Sequence, residues 1–226
     1  MNELKRIIAS IKPHEAVVYL IGYAAVIVSI FIANGAYIES AASLFFLTGT
    51  ILNAKRSRAW FAFSSIGMIL YSYVAFHNRF YSELIINAFY MVPMQIYGFI
   101  NWGKSKEKRL IIEVETLPAK KFILYLLCGA AVTLIYGWLL TFIGNSSPYI
   151  GAASTVCSAL AVMFAARRIM HQFLFWIANN LCIIAMWILS STSFSGLPII
   201  VVNAVFVVMN AMAFATWRRL YYILKD

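Results

Sequence analysis

Residues 121–143 read KFILYLLCGAAVTLIYGWLLTFI, an apolar run with no charge after its first residue. A bilayer crossing takes about 20 such residues, so this segment spans one. Seven more stretches read the same way: 16–33, 37–54, 59–76, 82–102, 148–166, 171–190 and 194–217. Of 226 residues, 63% are apolar or aromatic and 12% charged, and the mean hydropathy is +0.82. An ordinary soluble domain is about half apolar and a quarter charged, so a water-soluble globule has nowhere to bury so much apolar surface. Soluble enzyme, nucleic-acid binder and disordered regulator are excluded, and an all-α integral membrane protein with almost no domain outside the bilayer is predicted.

The formal charge of +10 is distributed by loop. Lys5, Arg6 and Lys12 precede the first span, Lys55, Arg56 and Arg58 follow the second, and Lys104, Lys106, Lys108, Arg109, Lys120 and Lys121 follow the fourth. Arg167 and Arg168 follow the sixth, and Arg218, Arg219 and Lys225 the eighth, whereas the other connections hold only Arg79. Basic loops stay on the cytoplasmic side, which predicts eight spans with both termini inside. The charge reports topology rather than a nucleic-acid partner. If 16–33 lies flat on the membrane, the count becomes seven and the amino terminus moves outside. The connector 103–121 reads as a solvated loop, with anionic lipid headgroups as a lesser alternative. Cys128, Cys157 and Cys182 lie in apolar runs, and His14, His77 and His171 stand apart at span ends. No metal or cofactor is predicted.

The chain carries a faint duplication. Trp60 and Asn87 are 27 residues apart, as are Trp176 and Asn203; Asn87 precedes Trp102 by 15 residues and Asn203 precedes Trp217 by 14. Ala54-Lys55-Arg56 and Ala166-Arg167-Arg168 close the preceding spans. Spans two to four therefore match spans six to eight in the same orientation, which requires an odd number of crossings between them. The run at 121–143 supplies it. The predicted organisation is a tail and accessory helix (1–36), a three-helix bundle (37–102), a cytoplasmic loop and linker helix (103–147), and a second, parallel three-helix bundle with a cytoplasmic tail (148–226).

Amides within a span face protein or a water-filled path, because in lipid they would go unsatisfied. At 100° per residue, Asn87, Tyr90, Met91, Met94, Gln95, Gly98 and Trp102 fall within about 140° of one helix. Asn203, Phe206, Asn210, Phe214 and Trp217 form a second stripe; Trp176, Asn179, Asn180, Ile183 and Trp187 a third; Trp60, Phe63, Ser64, Gly67 and Tyr71 a fourth. The candidate binding residues are Gln95, Asn180, Trp176, Asn203, Asn210, Asn87, Tyr90, Asn179 and Trp187. Amides also simply tie helices together, and Trp60, Trp102 and Trp217 suit an interfacial belt equally well. Pro93 and Pro198 kink or start their helices. All eight acids, Glu83 among them, read as loop, tail or span-edge residues. With no carboxylate inside a span, passage down a gradient without ion coupling is predicted. With no buried Lys or Arg, a neutral or cationic, partly flat cargo is predicted.

The stretch Asn87-Ala-Phe-Tyr90-Met-Val-Pro-Met-Gln95-Ile-Tyr-Gly98-Phe-Ile-Asn-Trp102 resembles PnuC-type nicotinamide riboside transporters of bacteria, and Ser154-Thr155, Ser158, Arg167-Arg168, Trp176, Asn179-Asn180 and Asn203 to Trp217 resemble the family's later helices. The resemblance covers about residues 40–219. It implies a multi-pass facilitator of the bacterial inner membrane, related in fold to SWEET sugar transporters (3+1+3 helices), trimeric, with the site between the two bundles. It also implies that a separate cytoplasmic kinase traps the riboside by phosphorylation, and that relatives carry thiamine or other vitamins. The chain departs from the pattern at His171-Gln172, where an acidic residue precedes the tryptophan, and at Asn179-Asn180. Trp176, Trp187 and Tyr90 suit stacking on a pyridinium ring, and Gln95, Asn180, Asn203 and Asn210 suit its carboxamide and the ribose hydroxyls. Two other classes compete. A lipid-acting membrane enzyme needs a nucleophile with a base, and none is legible; a scaffold needs only amides as interhelical ties.

Overall fold

The computed structural model describes residues 7, 9–32, 37–108, 114–190 and 196–223. It is helical: α1 (Pro13–Ile32), α2 (Tyr37–Ala54), α3 (Ala59–His77), α4 (Tyr81–Ile86), a π-helical turn (Asn87–Met91), α5 (Val92–Lys108), α6 (Ala119–Phe142), α7 (Pro148–Ala166), α8 (Gln172–Ser190) and α9 (Leu197–Ile223). Pro13, Pro118, Pro148 and Pro198 all stand at helix starts, where the missing N–H breaks no intrahelical bond. Pro93 is the exception. It lies just after the π-helical turn, where the Val92 N–H reaches the Asn87 carbonyl five residues back. The wider turn absorbs the bond and space that a mid-helix proline removes. The predicted span 82–102 is thus a broken helix.

Four helices close the same way, with a left-handed residue two positions beyond the last: Arg56 (φ 57°), Arg79 (φ 57°), Gly144 (φ 69°) and Arg168 (φ 64°). The following N–H groups of Ser57, Phe80, Asn145 and Ile169 reach back five residues to Leu52, Ala75, Leu140 and Phe164. This closure satisfies terminal carbonyls, and at three of the four the basic side chain also favours the negative helix end.

Neighbouring helices make a closed ring: α2 packs on α3, α3 on α4 and α5, these on α7, α7 on α8, α8 on α9, and α9 back on α2. The flanking helices join outside it, α1 on α9 and α2, α6 on α7. Helix α1 runs antiparallel to α2 along its length. The Lys55 ammonium meets the Glu15 carboxylate at 2.6 Å at one end, and Tyr23 and Thr48 hydroxyls meet at 2.8 Å midway. Seven helices are long and apolar enough to cross a membrane: α1, α3, α6, α7, α8, α9 and the segment Glu83–Gly103. Helix α2 falls short because Glu39, Ser40, Ser43, Thr48, Thr50 and Asn53 dilute it.

Among the described residues, Lys12, Lys55, Arg56, Arg58, Arg167, Arg168, Arg218 and Arg219 gather at one end, and Arg79 stands at the other. Lys5, Arg6, Arg109 and Lys225, and the expected connection 33–36, lie outside the described residues. The connector is not wholly solvated, as the sequence suggested. Val114 is buried, and Glu115 forms a single bridge to Ile169, its N–H reaching Arg168 O and its carbonyl receiving Met170 N–H. Two apolar clusters fill the ring's ends. At the basic end Trp60, Phe61, Trp102, Phe173 and Trp217 pack together, and at the other Tyr71, Phe80, Met186 and Trp187 do.

Candidate functional site

Between the two clusters lies a partly open cavity whose empty space, the part open to solvent included, is about 980 Å³. All six ring positions contribute. Helix α2 gives Ser43, Phe46, Thr50 and Asn53; α3 gives Trp60, Ser64, Met68 and Tyr71; α4, the π turn and α5 give Glu83, Asn87, Met91 and Gln95; α7 gives Ser158; α8 gives Trp176, Asn179, Asn180 and Ile183; α9 gives Asn203, Phe206 and Asn210. Neither α1 nor α6 contributes. No Lys or Arg lies among these residues.

Of the nine residues read from sequence, seven line this space: Gln95, Asn180, Trp176, Asn203, Asn210, Asn87 and Asn179. Tyr90 and Trp187 do not. The Tyr90 hydroxyl donates to Ala159 O on α7 at 3.2 Å, and Trp187 packs edge-on against Phe80 at 5.4 Å. Both side chains are occupied by helix packing, so of the three rings read from sequence as stacking residues Trp176 remains, joined in the wall by Trp60, Phe46, Tyr71 and Phe206. Helical spacing placed Tyr90, Trp187, Trp176 and Trp60 on the right stripe, but a stripe is wider than a cavity wall.

The amides divide by what they bond. Asn203 and Asn210 each donate to the carbonyl four residues back, Ile199 O at 2.7 Å and Phe206 O at 2.9 Å. A carbonyl only accepts, so one of the two N–H groups of each amide is committed and orients the side chain, and the side-chain oxygen is not used by that bond. Asn87 Nδ2 donates to Ser72 Oγ at 2.9 Å, tying the π turn to α3. Asn53 Nδ2 donates to Gln172 Oε1 at 3.1 Å. By contrast Gln95 Oε1 and Asn180 Nδ2 are buried and make no hydrogen bond, nor do Asn53 Oδ1, Trp60 Nε1 and the Tyr71 hydroxyl. A buried polar atom without a partner costs about 1–3 kcal/mol, so five of them on residues that line one cavity describe a space shaped for a polar ligand.

Two expectations need correction. The belt reading of Trp60, Trp102 and Trp217 does not hold: Trp60 is 2% exposed and the other two 0%. Trp102 Nε1 donates to Ala165 O at 2.9 Å and Trp217 Nε1 to Ala54 O at 3.2 Å. Each indole thus closes the carboxyl end of a helix from the opposite half of the ring. Glu83 keeps the span-edge position read from sequence, as the first residue of the segment Glu83–Gly103, but it faces inward. It lies in the first turn of α4, is 5% exposed, lines the cavity, and accepts from Ser154 Oγ at 2.7 Å. Counting from the start of an apolar run made it peripheral, whereas α4 enters the bundle beside α7 and turns that face inward. The sequence premise that no carboxylate enters the helical bundle therefore fails at this residue. Ser154, Asn53 and Gln172 were not singled out from sequence as candidate site residues; small polar side chains on apolar helices look alike whether or not they face a cavity.

Comparison with known proteins fits this geometry. The sequence pattern of the nicotinamide mononucleotide transporter family matches residues 36–219. The nicotinamide riboside transporter PnuC of Neisseria mucosa is 22% identical over 215 residues, 92% of this chain and 82% of that protein. The PnuC of Haemophilus influenzae is 23% identical over 140 residues, covering 61% of this chain and 62% of that one. A crystal structure of the vitamin B3 transporter PnuC has the same fold, with a TM-score of 0.82 over 97% of either chain at 21% identity. The matched stretch begins after α1 and takes in every element that lines the cavity, and on that ground the chain belongs to the nicotinamide mononucleotide transporter family.

Proposed function

We propose that the protein carries nicotinamide riboside through the cavity and down its gradient without ion coupling, which the resemblance to facilitators implies now that Glu83 has removed the separate ground of a bundle free of carboxylates. The observation that supports this most is the complementary pair left open in the wall: Gln95 Oε1 accepts and Asn180 Nδ2 donates, which is what a primary carboxamide requires. Trp176 and Trp60 offer ring faces, and the uncommitted side-chain oxygens of Asn203 and Asn210 suit ribose hydroxyls. The family is named for the mononucleotide and the relatives for the riboside; a wall without Lys or Arg gives a phosphate no partner and favours the riboside.

The architecture proposed is eight spans, α2 included, with both termini cytoplasmic in a bacterial inner membrane and the basic end inside. The two halves are read as parallel three-helix bundles related by a pseudo-two-fold axis, SWEET-like, with α6 as the odd crossing. Trp60 and Trp176, Ser64 and Asn180, Glu83 and Ile199, and Asn87 and Asn203 are each 116 residues apart, and all eight line the cavity. The left-handed residues Arg56 and Arg168 and the crossed Trp102 and Trp217 bonds support the same reading. A trimeric assembly and trapping of cargo by a cytoplasmic riboside kinase are the parts supplied by the resemblance.

Uptake of radiolabelled riboside by proteoliposomes tests the proposal, with and without imposed proton or sodium gradients. Equilibration that ignores the gradients is expected; accumulation above the outside concentration only under a gradient sinks the uncoupled mechanism. Gln95→Leu and Asn180→Leu should each weaken binding by about ten- to a hundredfold while the protein stays folded. A scaffold would instead lose assembly.

A further inference from the structure

We propose that the Glu83 carboxylate supplies the charge that pairs with a cationic ring in the cavity, so that the site selects a flat monocation over its neutral counterpart. This rests on the transport reading above and names the class of cargo that the same site takes.

An ionised carboxylate away from water is unfavourable unless a cation or several donors meet it. Among the described residues Glu83 makes no ion pair, and its hydrogen bond is to Ser154. That hydroxyl is shared: Ser154 Oγ lies 2.7 Å from Glu83 Oε1 and 2.9 Å from Asn179 Oδ1. One hydroxyl has one proton, so the group holds more acceptors than donors. The titratable side chains whose charge Glu83 influences, Tyr71, Tyr136 and Cys182, are uncharged near neutral pH and bring no positive charge. Across the cavity, the fixed carbonyl oxygens of Asn203 and Asn210 add to the negative field.

The arrangement also breaks the internal pairing. The positions 116 residues from Glu83, Ser154 and Asn179 are Ile199, Ile38 and Phe63, so the cluster, built from Glu83 of the first half and Ser154 and Asn179 of the second, has an apolar counterpart where the pairing would repeat it. A purely architectural need would recur in both halves. A charge on one side only orients the bound cation, ring toward α4 and α7.

Binding to the purified full chain tests this, using the cationic nicotinamide riboside and its neutral 1,4-dihydro form, which differ little in shape. The wild type should prefer the cation by about tenfold or more. Glu83→Gln should remove most of that preference, lowering affinity for the cation by about tenfold more than for the dihydro form, and Glu83→Asp should keep it. Equal melting temperatures and gel-filtration profiles establish that the variants are folded. A Glu83→Gln protein with wild-type discrimination, or a wild type without any, overturns the proposal. Should the wild type bind neither riboside, the riboside reading fails, and the charge proposal is read with thiamine, also a cation. Loss of thiamine binding in Glu83→Gln supports it; unchanged binding, or a wild type that binds no cation tested, overturns it.

Discussion

Gly98→Ala sets two effects of opposite sign against each other. In an exposed helix the change stabilises by about 0.5–1 kcal/mol, because alanine loses less conformational freedom on folding. At Gly98 on α5 the added methyl would overlap the edge of the Phe61 ring and come within 3.3 Å of Ala166 Cβ. Ordinary carbon contacts lie at about 3.5–4.0 Å, so the ring must retreat by about 1 Å. It has nowhere to go: Phe61 is 2% exposed, stands edge-on to Trp102 at 5.4 Å and lies 4.1 Å from Trp60, centroid to centroid. Overpacking of this kind costs about 1–3 kcal/mol, which outweighs the backbone gain. The expected net loss is about 1–2 kcal/mol, a melting temperature lower by about 2–8 °C for a chain of this length. Because Trp60 is also a cavity wall, riboside binding should weaken with it. Thermal unfolding in detergent measures the stability change, and Phe61→Leu added to Gly98→Ala should recover part of it. A Gly98→Ala protein that melts at or above the wild type, or a double variant no better than the single, refutes the packing argument.

Breaking the Glu15–Lys55 pair should loosen α1. Both side chains are under a tenth exposed, so Lys55→Met leaves a buried carboxylate and costs about 3 kcal/mol, the low end for such a pair because it borders the basic end of the bundle. The double variant Glu15→Gln/Lys55→Met should cost much less, and chemical denaturation compares the two. His171, in the connection before α8, is held below its ordinary pKa by burial between Phe122 and Phe214, with Nδ1 accepting from Leu117 N–H. The unfolded chain then binds the proton more readily than the folded one, so stability is lost as pH falls through about 6.5. Melting curves at pH 7.5 and 5.5 should show a larger drop for the wild type than for His171→Gln; equal drops would count against that role.

Membrane residence, the helical class and the placement of basic loops were legible in sequence because they depend on one-dimensional quantities: run length, composition and charge order. The broken fourth span was legible at Pro93, since a missing N–H breaks a helix wherever it occurs. Seven of nine candidate site residues line the cavity because an uncompensated amide has few places to go in an apolar helix. Three things were not legible. Trp102 and Trp217 looked like belt residues, since a tryptophan beside basic residues reads the same whether it points out to headgroups or in to a helix end. Tyr90 and Trp187 share their stripes with cavity residues, but the stripe continues into helix contacts. Glu83 looked peripheral because depth was counted along the chain.

The amino-acid order by itself determined that this chain lives in a bilayer as a set of apolar helices, because desolvation of a backbone and periodicity along a helix are local matters. Which polar atoms are spent on neighbours and which are left facing a common space was decided only when six helices closed into a ring. Hydrogen-bond satisfaction is a property of the partners that folding supplies, and no residue type states it in advance.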